Sequence, residues 1–177
     1  MDNAPTGLVI PFPDIEQAIG AYRRAFILPT TFGLMAHLTV IFPFMPRNEM
    51  TTAVTETLQA LFYQIPPIEY TISGLATFPQ VLYLEMDDER PFIELIQAVE
   101  REYPKYPSFG GQFESIIPHI TIAKNETISQ SEAEFLKNSP QFLPVAGVCR
   151  TVWLIEKRGD NYQMTHSFQL GIGDLHE

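Results

Sequence analysis

The chain has one cysteine, Cys149, among 177 residues. A single thiol excludes an internal disulfide and a cysteine-rich metal site, and within an apolar run it reads as a small buried filler residue. Basic residues are scarce as well: 11 Lys and Arg stand against 21 Asp and Glu, a net charge of −10, with no basic run anywhere. That footprint disfavours long duplex nucleic acid as a partner. A small or terminal phosphate stays open, because a few local donors can hold it. Apolar runs long enough for a membrane helix are missing. The longest, residues 32–45, is interrupted by His37 and Pro43 and falls short of the roughly 20 residues needed to span a bilayer. No basic segment followed by an apolar one opens the chain at Met1-Asp2-Asn3, so no secretory signal and a cytoplasmic location are expected. Linkers rich in Gly and Ser are absent too, and 45% hydrophobic against 18% charged residues predicts one compact body of one or two lobes; a monomer is expected.

The signatures of several common chemistries are also missing. The sequence has no G-x-x-x-x-G-K-[ST] phosphate loop, no G-x-G-x-x-G and no G-x-S-x-G nucleophile elbow.

What is there is a pair of nearly identical strings, His37-Leu38-Thr39-Val40 and His119-Ile120-Thr121-Ile122. On an extended strand this alternation puts the histidine and the threonine on one face, about 6.6 Å apart, and the aliphatic residues on the other. A lone histidine of this kind is more often a core residue than a catalyst. One such tetrad arises by chance in roughly one chain in fifteen of this size, but two arise in only a few per thousand at average residue usage.

The surrounding pattern predicts a repeated order of strand, helix, His-Thr strand, helix and strand. Leu8-Val9-Ile10 is a strand, and Ile15, Ile19, Tyr22 and Phe26 mark a helix after Pro13. Asn48 is the expected N-cap of a second helix, with Met50, Val54, Leu58, Leu61 and Phe62 on its apolar side. A strand is expected around 68–78. In the second half come a strand at 81–84, a helix opened by Pro91 with Phe92, Leu95, Ile96, Val99 and Tyr103, and the second His-Thr strand. Ser129 with Glu132 reads as the capping box of a further helix. Residues 145–157 and 161–170 are expected as strands joined by the Arg158-Gly159-Asp160-Asn161 turn. Two copies, at about 7–79 and 81–171, would bring His37 opposite His119 across one groove.

Two imidazoles facing one centre suit displacement at phosphorus, because near neutral pH one can accept a proton while the other gives one. The hydroxyls of Thr39 and Thr121 would donate to the non-bridging oxygens. A metal site wants three or four ligands, and neither histidine has a carboxylate, cysteine or second histidine at ligand spacing, so no metal and no cofactor are expected. Tyr83, Tyr106 and Phe109 are candidates for contact with a nucleobase, each weighed against ordinary packing. Lys124 reads as a strand-end charge, and His166 and His176 as structural or exposed.

Paired H-x-T-x motifs half a chain apart resemble the two-histidine (2H) phosphoesterase superfamily, which includes the 2′-5′ RNA ligase-like proteins. The likeness extends through Ala36 to Phe44, Phe78 to Leu84, and Tyr103-Pro104 through Gly110-Gly111 to Pro118-His119-Ile120-Thr121, which are similar to small bacterial members. The resemblance implies an α+β fold of two lobes, antiparallel sheets lining a central groove with helices outside, and metal-free cleavage of cyclic or diester phosphates in nucleotides or RNA ends. By motif position it implies His37 and His119 as the acid/base pair and Thr39 and Thr121 as phosphate binders. The leading expectation is a phosphodiesterase opening a 2′,3′-cyclic phosphate or related small nucleotide diester. The alternatives are a 2′-5′ RNA ligase running the same chemistry in reverse and a non-catalytic module binding nucleotides or RNA ends.

Overall fold

A computed structural model describes residues 3–26, 33–112, 114–124 and 142–171. Its elements follow in chain order: β1 (Thr6–Pro11), α1 (Pro13–Phe26), β2 (His37–Ile41), α2 (Thr52–Tyr63), β3 (Ile68–Ile72), β4 (Gly74–Phe78), β5 (Val81–Glu85), α3 (Arg90–Glu102), β6 (His119–Lys124), β7 (Val145–Cys149), β8 (Thr151–Arg158) and β9 (Asn161–Gln169). The helix expected after Ser129 lies outside the described residues.

Among the described residues, seven strands form one antiparallel sheet in the order β4-β5-β6-β2-β1-β8-β9, and β3 pairs with β7 in a second, two-stranded sheet. The two His-Thr strands are therefore neighbours at the centre. The architecture is α+β, with a predominantly antiparallel sheet.

Alternation along the strands separates a core face from a site face. Leu8, Ile10, Leu38, Leu82, Leu84 and Ile120 are fully buried. They pack with the apolar stripes of the helices, Ile15 and Ile19 of α1 and Phe92, Leu95, Ile96 and Val99 of α3. Burying each such side chain stabilises the fold by about 1.5–3 kcal/mol. Residues of the opposite parity, His37, Thr39 and Thr121 among them, are only half-buried.

Three local expectations change. The α2 helix is capped by Thr51, whose Oγ1 accepts from the Val54 amide at 3.4 Å, because Asn48 is taken up by a 3-10 turn at Arg47–Glu49. The strand expected over 68–78 breaks at Ser73, and the one expected over 145–157 breaks at Arg150. In each case the chain leaves the two-stranded sheet and enters the large one. Apolar periodicity carries through both breaks, so only tertiary pairing shows them.

Candidate active site

The β2–β6 ladder pairs Leu38 with Ile120. Antiparallel continuation sets His37 against Thr121 and Thr39 against His119, so the histidines lie on a diagonal, not directly opposite each other. In a regular ladder such a diagonal is about 7–8 Å. Four polar side chains thus share one face, two imidazoles on one diagonal and two hydroxyls on the other.

Both imidazoles are held the same way. His37 Nδ1–H donates to the Met35 carbonyl at 2.7 Å, and His119 Nδ1–H donates to the Ile117 carbonyl at 2.7 Å. A carbonyl only accepts, so Nδ1 carries the proton and Nε2 of the neutral ring is left as the basic nitrogen. Burial, the largest influence at both, lowers the pKa of each histidine, and that of His37 falls to about 4. Among the described residues, neither the Thr39 nor the Thr121 hydroxyl is hydrogen-bonded to protein. Thr6, by contrast, donates its hydroxyl to the Met45 carbonyl at 2.9 Å. Without a partner among the described residues, the two hydroxyls are ready donors.

A cavity of about 310 Å³ opens over this face, and His37, Thr39 and Thr121 are in its wall. His119 lies beside it, against Phe78 and Tyr83, with both ring centroids 5.3 Å from its own. The charges in the cavity wall are the Arg23 and Lys124 cations, and no described carboxylate lines it. In a chain of net charge −10 this is a local reversal of sign, suited to an anion. Phe42 and Tyr162 meet edge to face at 5.7 Å and supply an apolar wall together with Leu34 and Phe109.

Two backbone features shape that wall. At Gly33 φ is +97°, and a Cβ there would sit 2.5 Å from the Tyr162 carbonyl oxygen, so only glycine lets the loop before β2 lie against the β8–β9 hairpin. Phe109 has φ +52°, a costly conformation for a bulky residue, followed by Gly110 at +62°. This left-handed pair turns the Phe109 ring into the cavity wall.

The remaining sequence candidates fall in different places. Tyr83 is buried, stacks on Phe78 at 4.4 Å, and touches His119 rather than open space. Tyr106 does not reach the cavity: its hydroxyl donates to Glu49 at 2.6 Å and its ring packs on Phe44. Lys124, expected to be an ordinary strand-end charge, lines the cavity, and Arg23 escaped the sequence reading entirely. Arg23 sits in the last turn of α1 beside Arg24, where a cation looks like a response to the helix dipole. His166 is exposed on β9, and His176 lies outside the described residues. Among the described residues no three His, Cys, Asp or Glu side chains come together as a metal site, and no helix is long and apolar enough to cross a membrane.

Solved structures share this fold. E. coli LigT in complex with NADP+ superposes with a TM-score of 0.58 at 15% identity, covering 97% of this chain and 99% of LigT. The protein TT0787 of Thermus thermophilus gives 0.57 at 16%, covering 95% and 98%. A structure described only as a phosphoesterase gives 0.58 at 16%, covering 96% and 99%. No curated protein matches the sequence. The family model of the 2′-5′ RNA ligase superfamily matches residues 11–161, both His-Thr motifs included. By that match, the chain belongs to the 2′-5′ RNA ligase superfamily, the 2H phosphoesterases.

Proposed function

We propose that the chain is a metal-independent phosphodiesterase that hydrolyses a 2′,3′-cyclic phosphate, or a related small diester at a nucleotide or RNA end. The observation that carries this reading is the diagonal arrangement of two imidazoles, each with Nδ1 fixed on a carbonyl, and two threonine hydroxyls that have no partner among the described residues, all on one sheet face. In hydrolysis one Nε2 takes a proton from water as its oxygen bonds to phosphorus. The P–O bond to the ribose breaks, and the other Nε2–H protonates the departing oxygen. Thr39 and Thr121 donate to the non-bridging oxygens, where negative charge builds up.

Cavity size and charge support a small substrate. A space of about 310 Å³ with two cations and an aromatic wall suits one nucleotide better than a long strand. The neighbours point the same way: LigT has been crystallised with NADP+, with 3′-AMP and with ATP. The chain's acidity favours hydrolysis over ligation of a large RNA.

We also read the chain as one unit made of two copies, 7–79 and 81–171. The sheet runs outward from its centre as β6-β5-β4 on one side and β2-β1-β8 on the other, and β3 pairs with its counterpart β7. The last strand of the first copy, β4, thus joins the second, and the β8–β9 hairpin that ends the second copy joins the first through β8, which supports a single site shared by both. The test is turnover of 2′,3′-cyclic nucleotides, 3′,5′-cyclic nucleotides and cyclic-phosphate-ended RNA by purified protein. Hydrolysis of the first class supports the reading, and tight binding without turnover would make the chain a binding module.

A further inference from the structure

The two histidines are alike in sequence and in their backbone anchors, yet their surroundings differ. On the His37 side, α1 carries a buried ion pair: Arg23 Nη1 donates to Glu16 Oε2 at 2.8 Å, and Arg23 is only 4% exposed. The pair also ties the two motifs together. Glu16 Oε2 accepts from the Ala36 amide, immediately before His37, at 2.7 Å, and Arg23 Nε donates to the Thr121 carbonyl at 3.0 Å. One helix therefore grips both His-Thr strands. The remaining Glu16 oxygen accepts from Arg24 at 2.8 Å, which leaves the Arg23 charge partly uncompensated toward the cavity.

On the His119 side the rings of Phe78 and Tyr83 pack against the imidazole, and among the described residues no cation is recorded as acting on it. Glu85 is paired with His119 across the β5–β6 ladder. A carboxylate directly across the ladder favours the charged imidazole.

We propose that Arg23, held by Glu16, is a positioning residue that makes the histidines unequal, keeping His37 the neutral imidazole that accepts a proton and leaving His119 to donate one. This rests on the acid/base reading of the site given above. Among the described residues, the groups that act on His37 are Arg23 and Glu16 from α1 and His119 from β6, and Lys124 of β6 and Tyr162 of β9 line the same cavity. After burial, the largest cause of its low pKa, the charges of Arg23 and His119 push it further down, while the Met35 carbonyl and Glu16 oppose them. At His119 burial lowers the pKa and the Ile117 carbonyl opposes it, and among the described residues no cation adds to the effect of burial. A bound phosphodiester brings its negative charge beside His37, offsets Arg23 and raises the basicity of Nε2 once substrate is present. Water then loses its proton to His37, its oxygen bonds to phosphorus, and the ribose oxygen leaves with the proton from His119.

The test is an NMR titration of both imidazoles in substrate-free protein, for wild type, Arg23→Gln and Arg23→Lys. Gln retains a donor for Thr121 or Glu16 without the charge, and Lys retains the charge without the fork. In wild type His37 titrates below His119. Removing the charge in Arg23→Gln raises the His37 value by about 0.5–1 pH unit and moves His119 much less, while Arg23→Lys stays near wild type. The acid limb of kcat/KM, which reports the free enzyme, moves up with His37. His37 titrating at or above His119 in wild type overturns the proposal, and that measurement needs no variant to fold. So does an equal shift of both rings in Arg23→Gln, or a Lys variant that behaves like Gln. Because the titration uses no substrate, absence of turnover would count against the proposed function and leave this inference to be decided by the rings alone.

Discussion

Replacing Thr39 by valine isolates one hydroxyl. The two side chains have the same shape, valine is at home in a strand, and the Thr39 hydroxyl makes no hydrogen bond with described protein groups, so folding has little to lose. Its thermal midpoint is expected within about 2 °C of wild type, since the change removes no internal interaction. Catalysis loses a donor to an oxygen that carries charge in the transition state. Hydrogen bonds to charged groups are worth about 1.5–3 kcal/mol, which converts to a fall of roughly 10- to 10²-fold in kcat/KM. Thr39→Ser keeps the hydroxyl and should stay within about threefold of wild type, allowing for its freer rotamer. Thr121→Val should behave alike, and the double variant should lose about the product of the two if the hydroxyls serve different oxygens. The assay is kcat/KM for a 2′,3′-cyclic nucleotide at fixed pH, with melting curves on the same preparations. Thr39→Val within twofold of wild type, or a loss of rate matched by a loss of folded protein, would refute the phosphate-binding role.

Lys124→Met keeps the aliphatic stem and removes a cation from the cavity wall; a rise in KM of about 10-fold at low salt, shrinking as salt is added, is expected from steady-state kinetics. Exhaustive EDTA treatment should leave turnover unchanged, and activity restored only by zinc or manganese would contradict the two-histidine mechanism. The low His37 pKa also makes stability depend on pH: folded protein binds fewer protons than unfolded protein between about 4 and 6.5, so stability is full above that window and declines as pH falls through it. Urea unfolding at pH 7 and pH 5 should show a loss about 1–2 kcal/mol larger in wild type than in His37→Gln.

The His-Thr strands were legible because two polar groups recur at a strand's period within aliphatic surroundings, and the apolar faces of α1 and α3 were legible for the same kind of reason. The breaks at Ser73 and Arg150 were not. Each falls where the chain changes sheet, and nothing local distinguishes a strand that continues from one that finds a new partner. Arg23 and Lys124 were hidden for a related reason: a cation in a helix's last turn and one at a strand's end have ordinary local explanations, and only the packing of α1 across β6 brings them to one cavity. Tyr106 illustrates the converse. An aromatic residue in a Pro/Gly loop before the second motif left loop packing and stacking on a base both open, with packing favoured, and its ring packs on Phe44 while its hydroxyl donates to Glu49.

The most direct test of the account is turnover of a 2′,3′-cyclic nucleotide by His37→Ala and His119→Ala, each shown to be folded. The account predicts that both lose at least about 10²-fold in kcat, the low end of what a positioned acid or base contributes, and that the bell-shaped pH profile of wild type loses a different limb in each. If both variants retain near wild-type rates, the paired motifs are structural and the two-histidine mechanism is wrong.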